Sequence, residues 1–420
     1  MKKIVIKLAL VVFATIAVSA CGHSSSPGPR GPYLQNASSS SMVVRWRSNS
    51  AVRGSVSYGI ESGNLGETAS DNSETGDHEV LLDGLSPDTQ YFYRVNGQDG
   101  KEHSFTTPPV EGTAKPTRIW ILGDSGTADL SSNLVKLAFY EFNNGRHPDL
   151  MLLLGDSAYD SGTDVDYEDG FFGMYAATLE ETPVWPTLGN HDLVKEPTAY
   201  FDIFTLPTDG KTGGVPSGTE AYYSFNYSNI HFVSLDSELS SPLPGSDMYD
   251  WLAADLSAAT QDWKIVYFHR PPYSRGSHNS DASGSRMAAI RENLVPVFET
   301  YGVDFVFSGH SHDYERSYPI RGHYGASDTF LETMKSDPGD GRTDGDGEYR
   351  KAFGSTTYGV IYTVAGSSGK TGGGSLDHPA HFVSLNELGS VALDIDGGSA
   401  NVTFVSPAPA AKDYYTLSKF

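Results

Sequence analysis

The sequence predicts a layered α/β domain preceded by a small all-β domain, and three observations carry that expectation. Between residues 31 and 109, short runs alternate apolar and polar side chains between turn signals, the period of half-buried strands. From Thr117 onward, short apolar runs alternate with stretches of helical spacing, the pattern of sheets covered by helices. Five of those runs stop at Asp, Asn or His, four of them just after a glycine.

The 420 residues suffice for two domains, and a hydrophobic content of 38% with 24 Tyr and 20 Phe excludes global disorder. A formal charge of −23 argues against a nucleic-acid-binding face and against docking to anionic lipid head groups. An anionic substrate would need a local positive centre. At the N-terminus, Lys2, Lys3 and Lys7 flank and enter a mostly apolar stretch from Ile4 to Val18, too short for a stable membrane span. Residues 1–20 are expected to be a signal peptide. Val18-Ser19-Ala20-Cys21 resembles the lipobox of bacterial lipoproteins. That resemblance implies lipidation of Cys21 and export to the cell envelope. Gly22, carrying no acidic retention signal, favours the outer membrane, facing periplasm or exterior. Cys21 is the only cysteine, so no intramolecular disulfide can form. Residues 21–30 are expected as a lipidated linker, small and polar with two prolines.

In the all-β region, Met42–Trp46 is rich in β-formers and Gly54–Tyr58 alternates. Val80–Val95 contains a Leu-Ser-Pro-Asp-Thr corner, and its second strand places Tyr91, Tyr93 and Val95 on one face. This stretch resembles fibronectin type III domains, and residues 31–109 are assigned to that sandwich. Thr106–Pro109 is a linker. The α/β domain is expected over residues 117–407. Its strands are expected at Arg118–Leu122, Leu150–Leu154, Val184–Leu188, Ile230–Leu235, Lys264–Phe268, Phe305–Phe307, Val360–Ala365, Ser390–Asp396 and Ala400–Val405. Helices are expected at Leu130–Phe142, Asp247–Asp255 and Arg286–Tyr301. Residues 326–355 and 366–376 are expected as loops, and 408–420 as a C-terminal tail.

The chemistry lies where the runs end. Asp124 follows Ile-Leu-Gly, Asp156 follows Leu-Leu-Gly and Asn190-His191 follow Pro-Thr-Leu-Gly. His269 follows Val-Tyr-Phe, and His310 and His312 follow Val-Phe-Ser-Gly. In open α/β sheets ligands gather beyond the carboxyl ends of strands. A strand-end Asp alone is usually a turn or cap, and a strand-end His is usually structural. Five such ends in one chain form a donor set of carboxylate, carboxamide, imidazole and phenol without thiolate, which suits iron, manganese or zinc.

Gly123-Asp124-Ser-Gly126, Gly155-Asp156-Ser-Ala-Tyr159, Gly189-Asn190-His191-Asp192, Val266-Tyr-Phe-His269 and Gly309-His310-Ser-His312 resemble, in order, the five blocks of the calcineurin-like metallophosphoesterases. Tyr159 in the second block, and Gly31-Pro-Tyr-Leu-Gln35, resemble the purple acid phosphatase branch. The resemblance implies a four-layer α/β sandwich, two β-sheets flanked by helices. It implies Asp124, Tyr159 and His312 on a ferric ion and Asn190, His269 and His310 on a divalent iron, zinc or manganese ion, with Asp156 bridging. It implies hydrolysis of phosphomonoesters by a bimetal-bound hydroxide, an acid phosphatase activity, with His191 and His278 as catalytic residues. The cations would bring about +5 against about −3 from Asp124, Asp156 and ionised Tyr159, enough to attract a phosphate dianion. Asp192 is either an orienter of His191 or a local cap. Arg275 could meet phosphate but reads more simply as a surface charge. Asn279 stands where plant relatives often carry a second histidine. Tyr314, Glu315 and Arg316 read as supporting residues. A phosphodiesterase on the same bimetal site is the first alternative, and a surface-binding lipoprotein is a remote one.

Overall fold

A computed structural model describes residues 28–408 and 412–420. The expected signal peptide and Cys21 lie outside them. No helix among the described residues is long and apolar enough to cross a membrane.

The N-terminal sheet contains β1 (Arg30–Ser38), β2 (Ser41–Gly59), β3 (Glu67–Asp83), β4 (Gln90–Val95) and β5 (His103–Thr106). The first half of β2 pairs with β1, its second half pairs with β4, and β3 follows both halves. Val44, Trp46, Val80, Leu82, Tyr91, Tyr93 and Val95 alternate into the interior, as their period requires.

The larger domain continues with β6 (Thr117–Leu122), α1 (Leu130–Phe142), β7 (Leu150–Leu153), α2 (Asp164–Tyr167), α3 (Gly173–Leu179), β8 (Val184–Pro186), α4 (Ala199–Ile203), β9 (Tyr223–Tyr227), β10 (Ile230–Ser234), α5 (Asp247–Ala258), β11 (Trp263–Phe268), α6 (Arg286–Asn293), α7 (Val295–Thr300), β12 (Phe305–Ser308), β13 (Tyr314–Ser317), β14 (Tyr349–Lys351), β15 (Ile361–Ala365), β16 (His381–Leu385), β17 (Ser390–Asp396), β18 (Ser399–Val405) and β19 (Asp413–Lys419). Two seven-stranded sheets result, ordered β14-β19-β18-β17-β6-β7-β8 and β16-β13-β15-β12-β11-β10-β9. Strands β6, β7 and β8 run parallel, as do β10, β11, β12 and β15.

Aromatic pairs hold the sheets face to face. Trp185 stacks on Phe225 with ring centroids 3.7 Å apart, Tyr314 on Phe404 at 4.2 Å, and Phe305 meets Tyr415 at 6.4 Å. The alternate residues of the same strands face outward. Val233, Val266, Phe268 and Val306 pack with Leu252, Leu256, Ile290 and Phe298 of the covering helices. On the opposite side Trp120 stacks on Phe139 of α1 at 4.1 Å. The layers are therefore helix, sheet, sheet and helix.

Three expectations need correction. The single helix over Arg286–Tyr301 is two, α6 and α7, with Leu294 between them and Pro296 in the first turn of α7, where a missing N–H costs no internal bond. The tail over 408–420 contains β19, which pairs with β18 and buries Tyr415 and Leu417. Asp413, at the start of β19, is fully buried against Arg316 at 2.7 Å and Tyr314 at 2.8 Å, so the end of the chain is tied into the core. The expected loops carry the short strand β14, and β16 follows them.

The two domains meet through charge as well as packing. Asp164 receives Arg47 in a two-pronged pair at 2.7 and 2.6 Å and Arg30 at 3.1 Å, while Glu168 takes Arg30 Nε at 2.9 Å. Tyr33 Oη donates to the Ile203 carbonyl at 2.7 Å. Burial works against ionised Asp164, but the two guanidinium groups outweigh it and hold the carboxyl below its ordinary range. A depressed carboxyl contributes stability above the unfolded value near about 4 and loses it as pH falls through the native value. Asp164→Ala should therefore lower stability at pH 7 by about 2 kcal/mol, less than for a fully buried pair. The gap to wild type in thermal unfolding should close on acidification below about pH 4; equal thermal midpoints at pH 7 would contradict this account.

Candidate metal centre

The parallel strands of both sheets point their carboxyl ends to one rim. Asp124 lies just beyond β6, Asp156 beyond β7, Asn190 beyond β8, His269 beyond β11, and His310 and His312 beyond β12. Three of these six, Asp124, Asp156 and His310, adopt left-handed backbone conformations with φ of 56°, 52° and 66°. Such strain in non-glycine residues persists only where surrounding contacts hold it, and it concentrates at functional sites. The glycines before them permit the crowding. A side chain on Gly309 would meet Asp124 Oδ2, and one on Gly189 would overlap Asp156.

The side chains converge in two groups. Tyr159 Oη lies 3.0 Å from Asp124 Oδ1, 2.9 Å from Asp156 Oδ2 and 3.3 Å from His312 Nε2. His312 Nε2 is also 3.3 Å from Asp124 Oδ1. His269 Nε2 lies 3.2 Å from Asn190 Oδ1 and 3.4 Å from Asp156 Oδ2. Atoms of Asp124, Asp156 and His269 fall within 4.8 Å of one another, and all three residues are buried. The His310 ring centroid is 4.9 Å from that of His269, and His310 Nε2 meets Arg270 Nη1 at 3.0 Å. All seven sequence-derived ligand candidates are thus in one place.

These contacts test whether a cation fits. His269 Nδ1 donates to the Leu154 carbonyl at 2.8 Å, which leaves Nε2 as the ring atom facing two oxygen acceptors. Burial opposes a charged His269, yet the Asp156 carboxylate raises its pKa to about 10, so Nε2 holds a proton toward these oxygens that a metal ion would have to replace. Burial, then Asp124 and Asp156, push the Tyr159 phenol far above its ordinary range, so a phenolate here requires a cation. Two buried carboxylates answered by a phenol proton and an imidazole proton form a donor set that metal ions, displacing those protons, satisfy.

The other candidates lie around this group. His191 Nδ1 is 2.8 Å from the Asp160 carbonyl, and the His191 ring lies 4.5 Å from that of Tyr159. His278 stacks on His310 with centroids 3.9 Å apart, and burial, then His312, lower its pKa. Asp192 has no hydrogen bond to the His191 ring; it accepts from the backbone N–H of Asp156, Ser157 and Gly189 at 2.9, 3.1 and 2.8 Å. It acts as the local cap. Arg275 pairs with Asp377 at 3.4 Å, and Asn279 Oδ1 accepts from Asp281 N within a turn. Glu315 accepts from Arg275 N at 3.1 Å. Lys370 was missed: its Nζ stands 3.7 Å from the centroid of the Tyr159 ring. It is the single base in the glycine-rich run Gly366–Gly374, which an inventory restricted to metal donors passes over.

Gly189→Ala should drive its new side chain into Asp156 N and Oδ1. The metal retained after dialysis should fall by at least about half, measured by elemental analysis, with little change in far-UV circular dichroism. Full metal retention would show that Asp156 tolerates displacement.

Comparison with known proteins matches both domains. Residues 117–314 match the calcineurin-like phosphoesterase family, and residues 29–107 match the purple acid phosphatase N-terminal domain. A probable purple acid phosphatase 20 of Arabidopsis thaliana is 29% identical over 297 residues, covering 66% of this chain and 66% of the relative. Purple acid phosphatase 15 of the same plant is 30% identical over 287 residues, covering 57% and 49%. The match spans about half to two thirds of the length of these relatives. A solved purple acid phosphatase from yellow lupin seeds shares the fold, with a TM-score of 0.74 and 20% identity over 93% of this chain and 74% of that one. Both of its domains are matched in order, so the chain is similar throughout to the purple acid phosphatases among the calcineurin-like phosphoesterases.

Proposed function

We propose that this protein hydrolyses phosphomonoesters as an acid phosphatase, acting on a phosphorylated small molecule or macromolecule. One observation carries the proposal: oxygen and nitrogen donors from five strand ends converge around the buried carboxylates of Asp124 and Asp156. In this reading Asp124, Tyr159 and His312 hold a ferric ion, Asn190, His269 and His310 hold a divalent iron, zinc or manganese ion, and Asp156 is shared. When bound, the two cations would offset the charge of a phosphate ester and lower the pKa of a water molecule. Placing phenol on the ferric side and carboxamide on the divalent side follows ligand hardness.

The residues around the donors handle the remaining steps. The Asp160 carbonyl accepts from His191 Nδ1, which leaves Nε2 as the atom able to hold or release a proton. From that position His191 gives the proton to the departing ester oxygen. His278, half-buried and stacked on His310, hydrogen-bonds a phosphoryl oxygen. In this reading the protein is also exported and held at the envelope by lipid on Cys21, most simply at the outer membrane. The signal-like segment and the lone cysteine at the lipobox position support this.

A proton donor matters most for poor leaving groups. His191→Ala should retain its metals and lose about 10²–10⁴-fold in kcat on alkyl phosphates, with a smaller loss on nitrophenyl phosphate. Equal losses on both substrates, or loss of metal, would remove His191 from that role. Tyr159→Phe should abolish any purple or pink phenolate-to-iron band. A colourless, fully active wild type holding zinc or manganese alone would overturn the ferric assignment and leave the phosphatase reading intact.

A further inference from the structure

A further parallel strand, bearing none of the donors, reaches the same rim. Strand β15 pairs in parallel with β12 and runs out at Ala365 into Gly366-Ser-Ser-Gly369-Lys370-Thr-Gly-Gly-Gly374. A run so rich in glycine would ordinarily leave a lysine free in water. Here the run is fastened on both sides of Lys370. Ser368 N donates to the Gly123 carbonyl at 3.1 Å, and Gly372 N donates to the His312 carbonyl at 2.8 Å. Thr127 Oγ1 donates to the Gly369 carbonyl at 3.3 Å. A side chain at Gly369 would crowd the Asp124 carbonyl, so glycine is what lets the loop lie so close to the donors. Lys370 is thereby anchored through the backbone to the turns that bear Asp124 and His312.

Its ammonium rests on the face of Tyr159 at 3.7 Å. Among the described residues it makes no ion pair. The neighbouring guanidinium groups differ: Arg270 is held by Glu238 at 2.9 Å and Arg275 by Asp377 at 3.4 Å. Lys370 is therefore the uncommitted cation beside the centre. It sits on the ring of Tyr159, beside the donor atoms and not among them. In a chain of net charge −23, a second negative charge on a substrate is disfavoured by the general field, and one unpaired ammonium at the rim reverses that locally. An ammonium is a point charge without fork geometry, so it accepts carboxylate and phosphate alike.

We infer that Lys370 selects substrates that carry a second anionic group close to the scissile phosphate. The inference rests on the phosphoesterase reading above, and its test separates the two. In metal-loaded, full-length protein, kcat and KM are measured for glycerol 3-phosphate, which lacks a second anion, for 3-phosphoglycerate, which adds a carboxylate, and for pyrophosphate, which adds a phosphate. Calorimetry measures binding of phosphonoacetate against ethylphosphonate, neither of which is hydrolysed. Lys370→Gln should raise KM about tenfold for the substrates with a second anion and less than about threefold for glycerol 3-phosphate. Lys370→Arg should restore most of the difference. Phosphonoacetate should lose about tenfold in affinity in Lys370→Gln, and ethylphosphonate much less. A rise for 3-phosphoglycerate alone, or for pyrophosphate alone, would identify which anion the site takes. Equal changes for all substrates and both phosphonates, or no change, would overturn the inference. A wild type that turns over none of these substrates yet binds phosphonoacetate through Lys370 would overturn the phosphatase reading and keep this one.

Discussion

Two carboxylates, a phenol and four further donors cannot share a buried point without positive charge among them. Tyr159 Oη within 3.0 Å of both Asp124 and Asp156, and His269 Nε2 turned toward Asn190 Oδ1 and Asp156 Oδ2, set that constraint. The Asp124 and Asp156 carboxylates, within 4.8 Å of each other and buried, repel, and only protons or cations between them relieve that repulsion. The remainder of the architecture either enforces this opposition or answers it.

Enforcement comes from the two sheets. Each donor stands just past a buried strand, and the strands cannot slide without undoing stacks such as Trp185 on Phe225 and Tyr314 on Phe404. The left-handed backbone at Asp124, Asp156 and His310 is held by the same framework. The surrounding capping bonds leave little freedom: Asp192 accepts from the backbone N–H of Asp156, Ser157 and Gly189, and His310 N donates to Asp124 Oδ2 at 2.8 Å. Each left-handed residue costs about 1–3 kcal/mol, and these contacts offset that cost and hold the donor set together.

Much of this was legible in the sequence because it is written locally. A buried strand reads as an apolar run, and a glycine followed by a donor marks its end, so the strands ending at Asp124, Asp156, Asn190, His269 and His310 could be placed one by one. What could not be read was written between distant residues. Strand β19 looked like a tail because its polar residues make sense only opposite β18, with Asp413 against Arg316 across about a hundred positions of chain. The role of Asp192 was open until its carboxylate was seen on backbone N–H groups rather than on the His191 ring. Lys370 was passed over because nothing in Gly-Lys-Thr-Gly shows that the loop folds back on the Asp124 and His312 turns.

The central claim is that this opposition of donors is resolved by two cations sharing Asp156. Anomalous diffraction from crystals of the protein, collected at the iron, zinc and manganese edges, tests it most directly. The account predicts two peaks about 3.5 Å apart, one beside Asp124, Tyr159 and His312 and the other beside Asn190, His269 and His310, with Asp156 touching both. A single peak, or metal bound elsewhere while the Tyr159 phenol stays hydrogen-bonded to both carboxylates, would contradict it.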